Sequence, residues 1–130
     1  MKTLHLPLKK EWYEMIERGE KLEEYREVCD YWIKRLCDNP IFDSNRNIIG
    51  RCEINNWTIK ECERRGLDLV EQFRRGNMIA KDFANVCFSY GYTKRRMTFE
   101  CKGITIDRGR PEWGAPDYNT FIIKLGNRIQ

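Results

Sequence analysis

Histidine is almost missing from this chain of 130 residues: His5 is the single one. A triad or a metal centre built on histidine therefore has nothing to assemble from, and His5, in a strand-like stretch without a partner motif, reads as structural. No Gly-x-x-x-x-Gly-Lys run occurs, which removes the phosphate cradle that ATP-driven chemistry relies on. No apolar run approaches the ~20 residues that a membrane-spanning helix needs. Cysteine is plentiful, but none of Cys29, Cys37, Cys52, Cys62, Cys87 and Cys101 lies in the close pairs of a zinc knuckle. No secretory leader is expected ahead of them, so these thiols are expected to be reduced and mostly buried, and the cytosol is the expected compartment. No cofactor is expected. Internal repeats and low-complexity tracts are lacking as well.

What is present describes a folded, heavily charged domain. The hydrophobic fraction is 41% and charged residues make up 34%, with too many aromatic and branched side chains for a disordered chain. A length of 130 residues suits one domain with one core. The formal net charge of +4 permits an anionic partner without demanding one. Position says more: Lys94, Arg95 and Arg96 form a basic run, continued by Lys102, Arg108 and Arg110, whereas residues 11–30 lean acidic.

Thr3–Leu6 alternates as a strand does, and Pro7 is expected to end it before a helix. Leu8, Trp12, Met15 and Ile16 share a helical stripe that stops at Gly19, whose freedom at positive φ suits a helix cap. A strand is expected from Lys21 to about Glu27, then a helix carrying Cys29, Trp32, Ile33, Leu36 and Cys37. Residues 38–56 are dominated by Asn, Asp, Ser, Pro40 and Gly50 and read as a long surface excursion without regular elements. Thr58 with Glu61, and Asp68 with Glu71, have capping-box spacing and start two short helices divided by Gly66, the second bearing Leu69, Val70 and Phe73 and ending near Gly76. The last third is strand-rich: 83–90, 97–106 and 120–125. The alternation slips at Gly103, where a β-bulge would bend the strand as small barrels require. The fold class expected is α+β, a small, mostly antiparallel barrel with helices at its flank and a helical insertion.

Chemistry concentrates in Gly19-Glu20-Lys21-Leu22-Glu23-Glu24-Tyr25-Arg26. A regular strand would put Lys21 and Glu24 on opposite faces, but the lysine follows a glycine turn and its long stem can swing the amine towards the carboxylate. A carboxylate beside the amine holds it as ammonium, whereas burial without a partner would release it as a base. A solvated strand with a modest salt bridge is the plainer reading of the same residues.

This stretch resembles the G-x-K-x-x-E-x-R signature of the ASCH domain family, relatives of the PUA RNA-binding domains. The preceding helix with Trp12 and Ile16, the loop Pro111-Glu112-Trp113-Gly114-Ala115-Pro116 and the closing Phe121–Gly126 are similar to that family too. The likeness covers one ASCH-like domain over residues 1–130, with residues 38–80 as an unmatched insertion. It implies a small β-barrel with helices at the rim and a charged cleft for RNA or a nucleotide-like ligand. Some relatives are amidohydrolases of acylated cytidine or ribonucleases. In the amidohydrolases a threonine stands three residues after the signature lysine. Here that place belongs to Glu24, so the hydroxyl nucleophile is missing.

Charge and reach within such a cleft give ligand contacts to Lys21, Glu24, Tyr25 and Arg26. Arg26 would hold a phosphate or orient Glu24, and Tyr25 and Trp113 would stack on bases. Lys94, Arg95 and Arg96 would attract phosphates, or form a solvated hairpin tip. Trp113 would serve equally as packing at the rim. The competing expectation is a small hydrolase in the same cleft, acting on a modified nucleoside amide or on RNA, with Lys21 and Glu24 as catalytic residues. A third is a protein-interaction domain working through the helices around Leu69, Val70 and Phe73.

Overall fold

The computed structural model describes residues 2–54 and 58–130. In chain order its elements are β1 (Lys2–Leu8), α1 (Lys10–Glu17), β2 (Glu23–Arg26), α2 (Asp30–Leu36), β3 (Cys37–Phe42), β4 (Ile48–Glu53), α3 (Ile59–Arg64), α4 (Leu69–Arg74), β5 (Ile79–Ala80), β6 (Phe83–Tyr90), β7 (Arg96–Asp107), a 3-10 turn Pro111–Trp113 and β8 (Thr120–Arg128). The class is mixed α+β, as the sequence suggests. The chain divides into two compact units, one made of the stretch up to Tyr25 with Asp82–Gln130, the other of Arg26–Lys81.

The first unit is built on a curled, five-stranded half-barrel sheet in the order β1-β6-β7-β8-β2. β6 pairs with β7 and β7 with β8 in antiparallel fashion, while β1 lies parallel to β6. Leu4, Leu6 and Leu8 of β1 are buried, with His5 and Pro7 exposed between them. Pro7 thus lies inside the strand instead of ending it. β1 is an outer strand with a ladder on one side only, and a proline there costs the sheet no hydrogen bond when its nitrogen faces away from the partner.

Leu8, expected on the helix stripe, closes β1 instead. α1 buries Tyr13 and Ile16 completely, and Trp12 and Met15 are half-buried beside them. The bend in the sheet comes from two irregularities in the β7–β8 ladder. Phe99 faces Arg128 and Cys101 faces Leu125, so Gly126 and Asn127 together oppose Glu100. One step on, Gly103 faces Lys124 and Lys102 is the extra residue. Gly103 takes φ 130, which a side chain would resist, and the slip in alternation read from the sequence is this bulge.

The second unit holds a three-stranded antiparallel sheet, order β4-β3-β5. The region 38–56 was expected to lack regular structure, and β3 and β4 correct that: they form a hairpin, Asn39 facing Cys52 and Pro40 facing Arg51. The turn is made by Asp43, whose carboxylate accepts from the backbone N–H of Asn45 at 2.8 Å and of Asn47 at 2.9 Å. Asn55 and Asn56, the end of that expected loop, lie outside the described residues. Cys37 starts β3 and does not belong to α2.

The two short helices form where their caps predict. Thr58 Oγ1 accepts from Glu61 N at 3.0 Å and Asp68 Oδ1 from Val70 N at 3.0 Å. Glu61 does not complete a reciprocal box, because Arg64 and Arg65 take its carboxylate at 2.6 and 2.9 Å. Thr58→Ala is expected to cost about 1 kcal/mol, read as a lower urea midpoint with an unchanged m-value. All six cysteines are free thiols. Cys37, Cys62 and Cys87 are buried and Cys29 and Cys101 half-buried, but Cys52 departs from the expectation of burial because it sits on the outer strand β4. Burial pushes the Cys37 thiol up to about 12, an unreactive state. Among the described residues no helix is long and apolar enough to cross a membrane.

Candidate functional site

The Gly19–Arg26 stretch begins as a helix stop. Gly19 takes φ 81, its N–H donates to Ile16 O at 3.1 Å, and the N–H groups of Glu20 and Lys21 both donate to Met15 O, at 2.9 and 3.1 Å. These bonds satisfy the last carbonyls of α1 and reverse the chain, so that Lys21 and Leu22 precede the strand instead of lying in it. Freed from strand geometry, Lys21 turns inward and is only 2% exposed.

Its ammonium meets Glu24 Oε1 at 3.0 Å and donates to the backbone carbonyl of Trp113. The same nitrogen lies over the rings of Trp12 and Tyr25, 4.8 Å from each centroid. Glu24 is 3% exposed. A buried cation survives when paired and hydrogen-bonded, and here a carboxylate, a carbonyl and two aromatic faces supply that company. The i,i+3 contact is the one the lysine's long stem made possible.

Tyr25 faces the same cluster and is enclosed too. Its hydroxyl donates to Glu23 Oε1 at 2.7 Å and accepts from Arg110 N at 3.1 Å. Burial, reinforced by Glu23 and only partly opposed by the Arg110 N–H, raises its pKa well above the usual tyrosine value. Two glycines let the 108–116 loop come this close. A Cβ on Gly109 would stand 2.3 Å from Tyr25 Cε1, and one on Gly114, at φ 96, would stand 2.8 Å from Trp12 Cζ2. The loop is thus tied down by Lys21 through Trp113 O and by Tyr25 through Arg110 N.

Tyr25 and Trp113, the candidates for stacking, belong to this cluster. Tyr25 has no ring face turned to solvent, being 7% exposed. Trp113 is half-buried, with the Arg110 guanidinium 4.7 Å from its ring centroid. Arg26 opens the second unit, where its guanidinium is 5.3 Å from the Trp32 ring. Lys94, Arg95 and Arg96 are exposed at the β6–β7 turn. Arg95 folds back there, 2.8 Å from Glu17 and 5.3 Å from the ring centroids of both Tyr13 and Tyr90.

The structure therefore brings Lys21, Glu24, Tyr25 and Trp113 together and leaves the basic run apart. Sequence reasoning missed Trp12 as a partner of the lysine, and it missed Gly109 and Gly114 as the residues that admit the loop. The glycine and proline density of 108–116 was the available signal. Among the described residues no group of three or more His, Cys, Asp or Glu side chains could hold a metal ion. No family model, no curated protein and no solved structure matches the chain.

Proposed function

We propose that this chain is an RNA- or nucleotide-binding module of the ASCH, PUA-like kind, acting in the cytosol, and that its signature residues scaffold the binding surface instead of turning over a substrate. The observation that carries the choice is the enclosure of Lys21 and Glu24. Both are 3% exposed or less, each is the other's ion-pair partner, and the lysine also serves Trp113 O. A general base or nucleophile has to reach its substrate, and both of these groups are buried against partners within the protein. Glu24 at the place of the relatives' catalytic threonine points the same way. Attraction for an anionic ligand then falls to exposed cations, of which Lys94–Arg96 is the densest run in the sequence.

The test is fluorescence anisotropy with labelled single-stranded RNA across a salt series, beside incubation with acylated cytidines and with end-labelled RNA. Binding that weakens steeply with salt, and no turnover, is the expected outcome. Affinity that stays flat with salt would remove the phosphate contacts. Turnover abolished by Glu24→Gln in a folded protein would replace the binding module with a hydrolase.

A further inference from the structure

The β6–β7 turn combines features that a solvated hairpin tip has no need of. Tyr92 is 98% exposed, more than any other large apolar or aromatic side chain of the described residues, and it is followed by Lys94, Arg95 and Arg96. A hairpin tip with no task would carry small polar residues there.

The backbone beneath that ring is fixed. Tyr90 N donates to Arg95 O at 2.9 Å and Thr93 N to Tyr90 O at 3.1 Å. Gly91 N donates to Leu8 O at 2.8 Å, which ties the turn to the end of β1. Ser89 Oγ donates to Gly91 O at 2.8 Å, and Thr93 Oγ1 to Tyr90 O at 2.6 Å. Gly91 takes φ 57, so the turn needs a glycine at that point. A rigid turn that still projects an aromatic ring wholly into water has already met the ordering cost of presenting it.

The three cations divide in role. Arg95 lies back over Tyr13 and Tyr90 and pairs with Glu17, so it braces the turn against α1. Lys94 and Arg96 are exposed, and among the described residues neither has an ion-pair partner. A solvent-facing aromatic in the same turn as uncommitted cations fits a strand of nucleic acid whose bases are unpaired: the ring takes a base face, and the cations take nearby phosphates. Duplex bases are stacked on each other and offer the ring no free face.

We propose that the Gly91–Arg96 turn is the contact surface for single-stranded RNA, with Tyr92 stacking on one base and Lys94 and Arg96 contacting phosphates of the same strand. This rests on the RNA-binding reading above and assigns its contacts away from Lys21.

The experiment measures anisotropy of a labelled oligouridine, and of the same label in a duplex, with wild type, Tyr92→Ala, Tyr92→Trp and Lys94→Gln/Arg96→Gln. Tyr92 touches nothing else, so circular dichroism and melting should be unchanged in its variants. Tyr92→Ala should weaken single-strand binding roughly five- to 150-fold, with Tyr92→Trp restoring it. The double glutamine variant should reduce the slope of log affinity against log salt by about 1.4. Wild-type binding with Tyr92→Ala unaffected would overturn this surface and leave the binding module standing. Duplex bound as tightly as single strand, and equally hurt by Tyr92→Ala, would overturn the stacking role. No binding by the wild type would overturn both readings.

Discussion

Replacing Lys21 with methionine should destabilise the fold by about 3–5 kcal/mol, a loss of roughly 10–20 °C in melting temperature for a chain of this length. Methionine keeps the volume and the packing against Trp12 and Tyr25, so the loss comes from charge. Glu24, at 3% exposure, would lose the ammonium 3.0 Å from its carboxylate, and Trp113 O would lose its donor. The double variant Lys21→Met/Glu24→Met should recover part of the loss, because an apolar pair removes both charges together. It should remain about 1–3 kcal/mol below wild type, the cost of the Trp113 carbonyl that still lacks a partner. Thermal or urea unfolding of wild type, both single variants and the double gives the coupling energy directly. A single variant within about 1 kcal/mol of wild type would mean that the pair is solvated and does not hold the loop.

Gly109→Ala is expected to fall at the upper end of the about 1–3 kcal/mol typical of overpacking. The reason is steric alone: the new methyl would sit 2.3 Å from Tyr25 Cε1 and 2.7 Å from both Tyr25 Cζ and the Ala115 Cβ. The ring has little room to yield, because its hydroxyl is held at Glu23 and Arg110 N and its face lies against the Lys21 ammonium. Shrinking the obstacle should therefore relieve the clash. In a Tyr25→Leu background, Gly109→Ala should cost clearly less than it does alone, measured by urea unfolding as a double-mutant cycle. Equal costs in the two backgrounds would show that the loop moves aside freely and that Tyr25 does not fix it.

Local signals read correctly in the sequence were those whose cause is local. Gly19 caps α1 because a positive φ is needed where the chain reverses, and Thr58 and Asp68 cap their helices through bonds to residues two or three places away. The slip at Gly103 is visible because a bulge interrupts a period of two inside a single strand. The Lys21–Glu24 contact was foreseeable for the same reason, since the stem of a lysine spans three residues after a turn.

What was illegible depends on neighbours far along the chain. Pro7 fits a strand only because that strand has one partner, which no local pattern encodes. β4 is almost wholly exposed, so burial imposes no alternation on it, and the Asp43 turn that joins it to β3 is not a two-residue turn of the Asn-Gly type. The carbonyl that completes the lysine's surroundings lies 92 residues away, and only the folded chain brings it there.

The parallel pairing of β1 with β6 sets an order on biosynthesis. A chain emerging from its N-terminus makes Lys2–Leu8 first, yet the strand that accepts those residues in register, Phe83–Tyr90, arrives only after Arg26–Lys81 has been made. Lys21 waits longer still, for Trp113. The contiguous Arg26–Lys81 unit needs no later residue for its own hairpin and its two capped helices, so it can close while the leading strand is still without a partner. Relative contact order, and with it the folding rate of the sheet, is thus governed by pairings that the ribosome delivers late.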